Sequence, residues 1–406
     1  QAGADQLRGG AGNDTLTFAG NLSAADTVDG GDGTDDMSVT NASLTALNAF
    51  TISESNTFNS GFSNVEQLTI TDALNQTSFD LGYLDGITKV AVSTVNGAET
   101  LNGFDSGETL ILSETLSNTL TVGVNNAATG ATDALTVNLT ASAADDYTAL
   151  AIANVETLTI DATEATASAT LRAGTIGLSL SQTATGPDQT VNVIGKESVV
   201  IDTAIAADVI NASGMTVTAV TENGLTMSTA FTATTTITGQ TITGSGKVDA
   251  LFGSTGADTI NGGAGADTIT ASTGADTIDG GAGSDTLTTA GLVGASIEGT
   301  STGTSLGVVI NMSTSAITAA TVFSNTSSDY LGGGKSSVAA GTLAYTFNAE
   351  SSLNSDVTKS LSNIENLTLS GNGTNYVVGS AAGNIIIGGT GVDVIDGGAG
   401  NDWLTG

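Results

Sequence analysis

The sequence predicts an all-β fold: a parallel β-roll or right-handed β-helix solenoid, with β-rich segments between its repeats. Three observations carry that prediction. Residues 253–288 run as four consecutive nonads, GSTGADTIN, GGAGADTIT, ASTGADTID and GGAGSDTLT. Outside them, short stretches alternate apolar residues with Thr, Ser or Asn, the period-2 pattern of strands with one buried face. The chain also holds 54 glycines against 1 proline, Pro187, a balance that suits long ladders interrupted by glycine turns.

In the central run Asp258, Asp267, Asp276 and Asp285 recur nine residues apart, each followed two residues later by Ile260, Ile269, Ile278 or Leu287. The glycines let the backbone turn sharply and present carbonyl oxygens inward. The aspartate adds carboxylate oxygens, and hard oxygen donors, about six to eight of them, are what Ca²⁺ takes. The three residues that follow form a short strand whose aliphatic side chain points inward. Two nonads make one coil, so Asp258 is expected to share an ion row with Asp276, and Asp267 with Asp285. Ordinary Gly/Asp turns do not explain a fixed nine-residue register.

The period recurs at both ends. GGAGNDTLT (9–17) places Asp14, AGADQLR (2–8) is the tail of the preceding nonad with Asp5, and GGDGTDDMS (30–38) places Asp35. Near the C-terminus GGTGVDVID (388–396) and GGAGNDWLT (397–405) place Asp393 and Asp402. GSAAGNIII (379–387) is degenerate, with Asn384 at the aspartate position, and no full-affinity site is expected there. The candidate ligands for multiple Ca²⁺ ions are therefore Asp5, Asp14, Asp35, Asp258, Asp267, Asp276, Asp285, Asp393 and Asp402.

Five regions follow: nonads at 1–38, a Ser/Thr-rich region at 39–250, the central roll at 251–288, a β-rich region at 289–378, and nonads at 379–406. Strands are expected within 65–72, 87–95, 108–114, 134–141, 155–162, 198–204 and 215–221, as β-helix rungs or stacked β-sandwich modules. Short helices fit 41–50 and 142–153. A second repeat, NVEQLTI (64–70), NVETLTI (154–160) and NIENLTL (363–369), with KESVVID (196–202) as a weaker relative, turns Val65, Leu68 and Ile70 or their counterparts toward a core. Glu66, Glu156 and Glu365 then stand at the start of a strand, capping backbone amides or adding a calcium ligand.

Composition excludes several functions. With 41 acidic against 7 basic residues, a net charge of −34, no basic face for nucleic acid is available. Such charge self-repels until cations neutralise it. Extracellular calcium modules bind at about 10⁻⁴–10⁻³ M, so a chain of this kind stays unfolded in a cytosol and condenses after export. Zero Cys excludes disulfides, and no apolar run of about 18 residues spans a membrane. The absence of His excludes Ser-His-Asp, Cys-His and His-metal chemistry. No carboxylate pair stands out among so many, and Arg172 is expected to make a salt bridge at a rung edge. Catalysis is not expected. The chain opens in mid-repeat at Gln1 and closes at Gly406, the first glycine of a further nonad, and reads as an excerpt of a longer protein.

The nonads resemble those of the RTX (repeat-in-toxin) superfamily, whose motif is GGxGxD followed by a large aliphatic two positions on. The resemblance implies export, unfolded, through a type I secretion machine, and folding outside on meeting calcium. Together with the Asn-aliphatic-Glu rungs and the Thr/Ala/Gly-rich, Lys-poor composition, the chain is similar to RTX-type bacterial surface-layer (S-layer) proteins, and to large RTX adhesins. That resemblance implies a structural homo-oligomer at the cell surface, tiling a two-dimensional lattice through calcium-bridged lateral contacts. Anchoring to lipopolysaccharide, through segments outside this chain, is implied by the likeness alone. The alternatives are an adhesin stalk or the carrier tail of a secreted enzyme or toxin.

Overall fold

The computed structural model describes residues 3–20, 22–114, 116, 118–125, 132–140, 146–153, 155–163, 173–181, 189–201, 204–216, 224–227, 238–292, 306–317, 337–346, 356–370, 374–390 and 393–406. The chain divides into two units, Gln1–Ala207 and Asp208–Gly406, and is mostly β.

In the first unit, strands along the chain alternate between two parallel ladders. One ladder joins Thr15–Phe18, Asp36–Val39, Gln67–Ile70, Lys89–Val92, Thr109–Leu112, Ala134–Leu139, Thr157–Ala162 and Thr190–Gly195 in chain order. The other joins Phe79–Asp80, Glu99–Phe104, Leu120–Val124, Asp146–Ala153, Ala173–Ser181 and Ser198–Ile201. A shorter sheet of Gln6–Ala11, Thr27–Asp32 and Phe62–Ser63 sits at the N-terminal nonads.

The registers explain why these residues form strands. Leu16, Met37, Leu68, Val90, Leu110, Val137, Ile160 and Val193 align one upon the next, and all are buried. Their Thr, Ser and Asn neighbours take the opposite face, so alternation in sequence becomes a continuous aliphatic stack. A β-sandwich would need antiparallel, hairpin-linked strands; the described strands of 39–250 pair in parallel.

One expectation needs correction. Residues 146–153, read as helical, form a strand held between Leu120–Val124 and Ala173–Ser181. Tyr147, Leu150 and Ile152 are buried there, and two ladder partners outweigh the helix propensity of the alanines. The segment 217–221 of the expected 215–221 strand, with Arg172 and its salt bridge, lies outside the described residues; the adjoining strand is Val209–Met215. The helix Asn41–Asn48 matches its expectation, and a second, Ile52–Asn59, follows it. Its signal was legible: Thr51 and Glu54 make a reciprocal capping box.

In the second unit the nonads supply three-residue strands. Val209–Met215, Thr241–Thr243, Thr259–Asn261, Thr277–Asp279 and Asp356–Ser362 form one parallel run. Leu225–Met227, Ala250–Phe252, Thr268–Thr270, Thr286–Thr288, Asn366–Thr368, Ile385–Ile387 and Trp403–Thr405 form another. Ile242, Ile260 and Ile278 stack in the first, and Leu251, Ile269, Leu287, Leu367 and Ile386 in the second, all buried. The region after the central roll breaks the pattern. Thr342–Thr346 runs antiparallel between Leu306–Asn311 and Asp356–Ser362.

Candidate metal centre

Each nonad turn is shaped by its glycines. In GGAGAD (262–267) Gly263 and Gly265 have φ of +99° and +136°, a region that L side chains rarely adopt. Gly262 is needed for a different reason: a Cβ there would overlap the Gly280 carbonyl oxygen of the next layer and lie 2.5 Å from Asp267 Oδ2, whose carboxylate folds back over its own turn. The same holds at the N-terminus, where a Cβ on Gly9 would lie 2.7 Å from Asp14 Oδ2.

Folding back brings the aspartates into rows along the ladders. Asp267 Oδ1 accepts the amide of Asp249 at 2.8 Å, and Asp285 Oδ1 accepts that of Asp267 at 2.8 Å. On the alternate nonads Asp258 Oδ1 accepts from Gln240 N at 2.7 Å, and Asp276 Oδ1 from Asp258 N at 3.0 Å. The expected partners, Asp258 with Asp276 and Asp267 with Asp285, are thus brought together, 18 residues apart. At the N-terminus Asp26 Oδ1 takes Asp5 N and Asp35 Oδ1 takes Asp14 N, both at 2.7 Å and 21 residues apart. Asp402 Oδ1 takes Asn384 N at 2.9 Å, and Asp393 Oδ1 accepts from Asn375 Nδ2 at 2.7 Å. The central aspartates and Asp35 are buried, whereas Asp5, Asp14, Asp393 and Asp402 are half-buried.

The two central rows differ in chemistry. In the glycine row, Asp267 Oδ2 and Asp285 Oδ2 are buried with no hydrogen-bond partner, as are the Oδ2 atoms of Asp14, Asp35 and Asp393. A buried carboxylate oxygen left unpaired is costly, and a cation is what satisfies it. In the serine row, Ser254 Oγ donates to Asp258 Oδ1 at 2.6 Å, and Ser272 Oγ lies 3.1 Å from Asp276 Oδ2 and 3.3 Å from Asp258 Oδ2. Among the described residues no three acidic side chains converge on one point. A calcium ion in the glycine row would accordingly take carboxylate oxygen from Asp267 and Asp285 and complete its shell with backbone carbonyls, the donors the glycine turns expose.

Burial pushes Asp267 up to about 7, with the Asp249 and Asp285 charges adding to it against the Asp249 amide. Burial likewise raises Asp249, Asp258 and Asp285. The sign follows from proton binding. Between the ordinary carboxylate value of 3.8 and about 7, the metal-free folded chain holds a proton at Asp267 that the unfolded chain has released. Metal-free stability therefore falls as pH rises through that window. Calcium needs the ionised form, so its binding strengthens over the same window and releases protons below about pH 7. Because the unfolded chain is already ionised in this window, the calcium midpoint of folding should be no higher at about pH 5.5 than at about pH 7.5, while the folded chain should hold calcium several-fold more weakly at the lower pH; equal affinity of the folded chain at both would count against an ion at Asp267.

Sequence reading missed two members of these rows, Asp26 and Asp249, both buried. Each stands nine residues before a recognised aspartate, Asp35 and Asp258, but the motif glycines are replaced by Asn21, Leu22 and Ala24 in NLSAAD (21–26) and by Ser245 and Lys247 in GSGKVD (244–249). The Asn-aliphatic-Glu frame is where a row stops. Glu66 Oε2 accepts Asp35 N at 2.8 Å, Glu156 Oε2 accepts Asp133 N at 2.9 Å and Glu365 Oε2 accepts Asp285 N at 2.8 Å. Asn64 and Asn363, at φ of 52° and 50°, take the left-handed conformation that a nonad gives to glycine. Val65, Leu68 and Ile70 are buried as the frame required.

Four copies of the RTX calcium-binding nonapeptide repeat match the chain, over residues 1–20, 23–39, 242–288 and 369–404. These segments contain every candidate aspartate, and also Asp26 and Asp249. A search of the curated proteins finds no match. The chain thus carries calcium-binding RTX repeats at both ends and in its centre. Among the described residues no helix is long and apolar enough to cross a membrane.

Proposed function

We propose that this chain is a calcium-folded β-solenoid serving as a structural subunit of a bacterial surface layer. The acidic chain leaves the cell unfolded by type I secretion, external calcium fills the glycine-aspartate turns, and the condensed solenoid associates laterally with copies of itself. The observation that carries the calcium step is the set of buried, unpartnered Oδ2 atoms at Asp14, Asp35, Asp267, Asp285 and Asp393. A net charge of −34 makes the same cations necessary for compaction. A structural rather than catalytic role is supported by a chain without histidine and by ladders faced with Thr, Ser and Asn. Lipopolysaccharide is a partner only through segments outside this chain.

Electron microscopy of the purified chain, in millimolar calcium and again after chelation, tests the reading. An ordered two-dimensional array that dissolves on chelation is expected. Dispersed rods that stiffen with calcium would overturn the surface-layer assignment in favour of an adhesin stalk or the carrier tail of a secreted enzyme or toxin.

A further inference from the structure

The serine row ends on a cation of its own. The ladder registers align Gln240, Asp258, Asp276 and residue 359 at one position of successive layers, since Thr241 pairs with Thr259, Thr259 with Thr277, and Thr277 with Ser360. Where the pattern calls for the next aspartate, the chain has Lys359. Its side chain is wholly buried. Its Nζ donates to the Gly274 carbonyl at 2.6 Å and forms an ion pair with Asp276 Oδ2. A turn carbonyl and a row carboxylate are the two donor types that a nonad offers calcium. One layer earlier, the Asp258 carboxylate is hydrogen-bonded by Ser254 and Ser272.

We propose that Lys359 is a tethered substitute for a calcium ion, closing the serine row at Asp276 so that the strand Asp356–Ser362 docks there without metal. Three features support it. A buried ammonium is stable only beside a compensating carboxylate, and Asp276 supplies it. The Ser360 amide donates to the Asp276 carbonyl at 2.9 Å, so the lysine sits at a formed ladder joint and not on a loose side chain. The glycine row has no such device: Asp285 is followed by Glu365, another carboxylate, and Asp285 Oδ2 remains without a hydrogen bond. The two rows therefore divide the work, one dependent on external calcium at this level and the other internally neutralised. The strand Asp356–Ser362 pairs with Thr277–Asp279, distant from it in sequence, and a covalently held cation lets that pairing form at calcium concentrations too low to fill every site.

The inference rests on the calcium reading above, and its test separates the two. Bound calcium is counted by equilibrium dialysis on the full chain and on the variants Lys359→Ala and Lys359→Asp, alongside the calcium midpoint of folding by circular dichroism. Removing the ammonium opens the position to a metal ion. Both variants should bind one more calcium ion per chain than the unaltered protein and fold with a midpoint shifted several-fold upward. An unchanged count and midpoint in the variants, with calcium still bound by the unaltered chain, would overturn the substitution and leave the calcium reading intact. Variants that fail to fold at any calcium concentration would also overturn it, because the lysine would then be a structural ion pair that no metal can replace. A count of zero for the unaltered chain would sink both readings.

Discussion

Replacing Asp267 and Asp285 together with asparagine should raise the calcium needed to fold the chain by roughly ten- to a hundredfold. Asparagine keeps an Oδ1 that can accept the Asp249 and Asp267 amides, so the ladder bonds survive. What is lost is the charge on the two buried oxygens that have no protein partner. Asn384 shows what the substitution does in this fold. Its Oδ1 accepts Ser380 N at 2.8 Å and its Nδ2 donates to the Glu365 carbonyl at 2.6 Å, so both polar atoms are used within the protein. The variant should also be no less stable than the unaltered chain when calcium is absent at neutral pH, since it carries less buried charge. Calcium titration followed by circular dichroism checks both statements, and an unchanged midpoint would remove the ion from this row.

Gly280→Ala should destabilise the calcium-loaded chain by about 3 kcal/mol, the upper part of the range for overpacking a fixed site. A Cβ at Gly280 would overlap the Asn363 carbonyl and lie 2.7 Å from Asp285 Cβ and 2.8 Å from Asp285 Oδ2. Two of these atoms are held by the backbone of an adjoining layer and by the metal row, so neither can yield cheaply. Gly246→Ala is the matched control: it lies in an equivalent turn with nothing within 4 Å of its Cβ and no left-handed φ. That change should cost only a few tenths of a kcal/mol. Thermal unfolding at saturating calcium distinguishes them, and equal losses would mean that the close approach of layers at Gly280 is not what the glycine provides.

The rows were legible in the sequence because their geometry is local. A nonad carries its own turn, ligand and strand within nine residues, so aspartates 18 apart had to align, and Asp258 with Asp276 and Asp267 with Asp285 do. Asp26 and Asp249 kept the period but not the full glycine pattern, and a search anchored on that pattern passes over them. The Glu of the Asn-aliphatic-Glu frame could be narrowed to an amide cap or a ligand; only its partner across the ladder, such as Asp285 for Glu365, shows that it accepts a backbone amide as the nonad aspartates do. The strand at Asp146–Ala153 was misread because its alanines carry no period of their own and take their state from neighbouring strands. Lys359 was invisible for the same reason, since its carboxylate lies 83 residues away in sequence. Parallel ladders are assembled from non-local pairings, and where a strand lacks its own repeat nothing local announces its register.

The most direct test of the calcium account is anomalous diffraction from crystals of this chain grown in calcium. The account predicts ions in the glycine row beside Asp267 Oδ2 and Asp285 Oδ2, with none between Asp276 and Lys359. Well-ordered crystals with no anomalous density at Asp267 and Asp285 would contradict it.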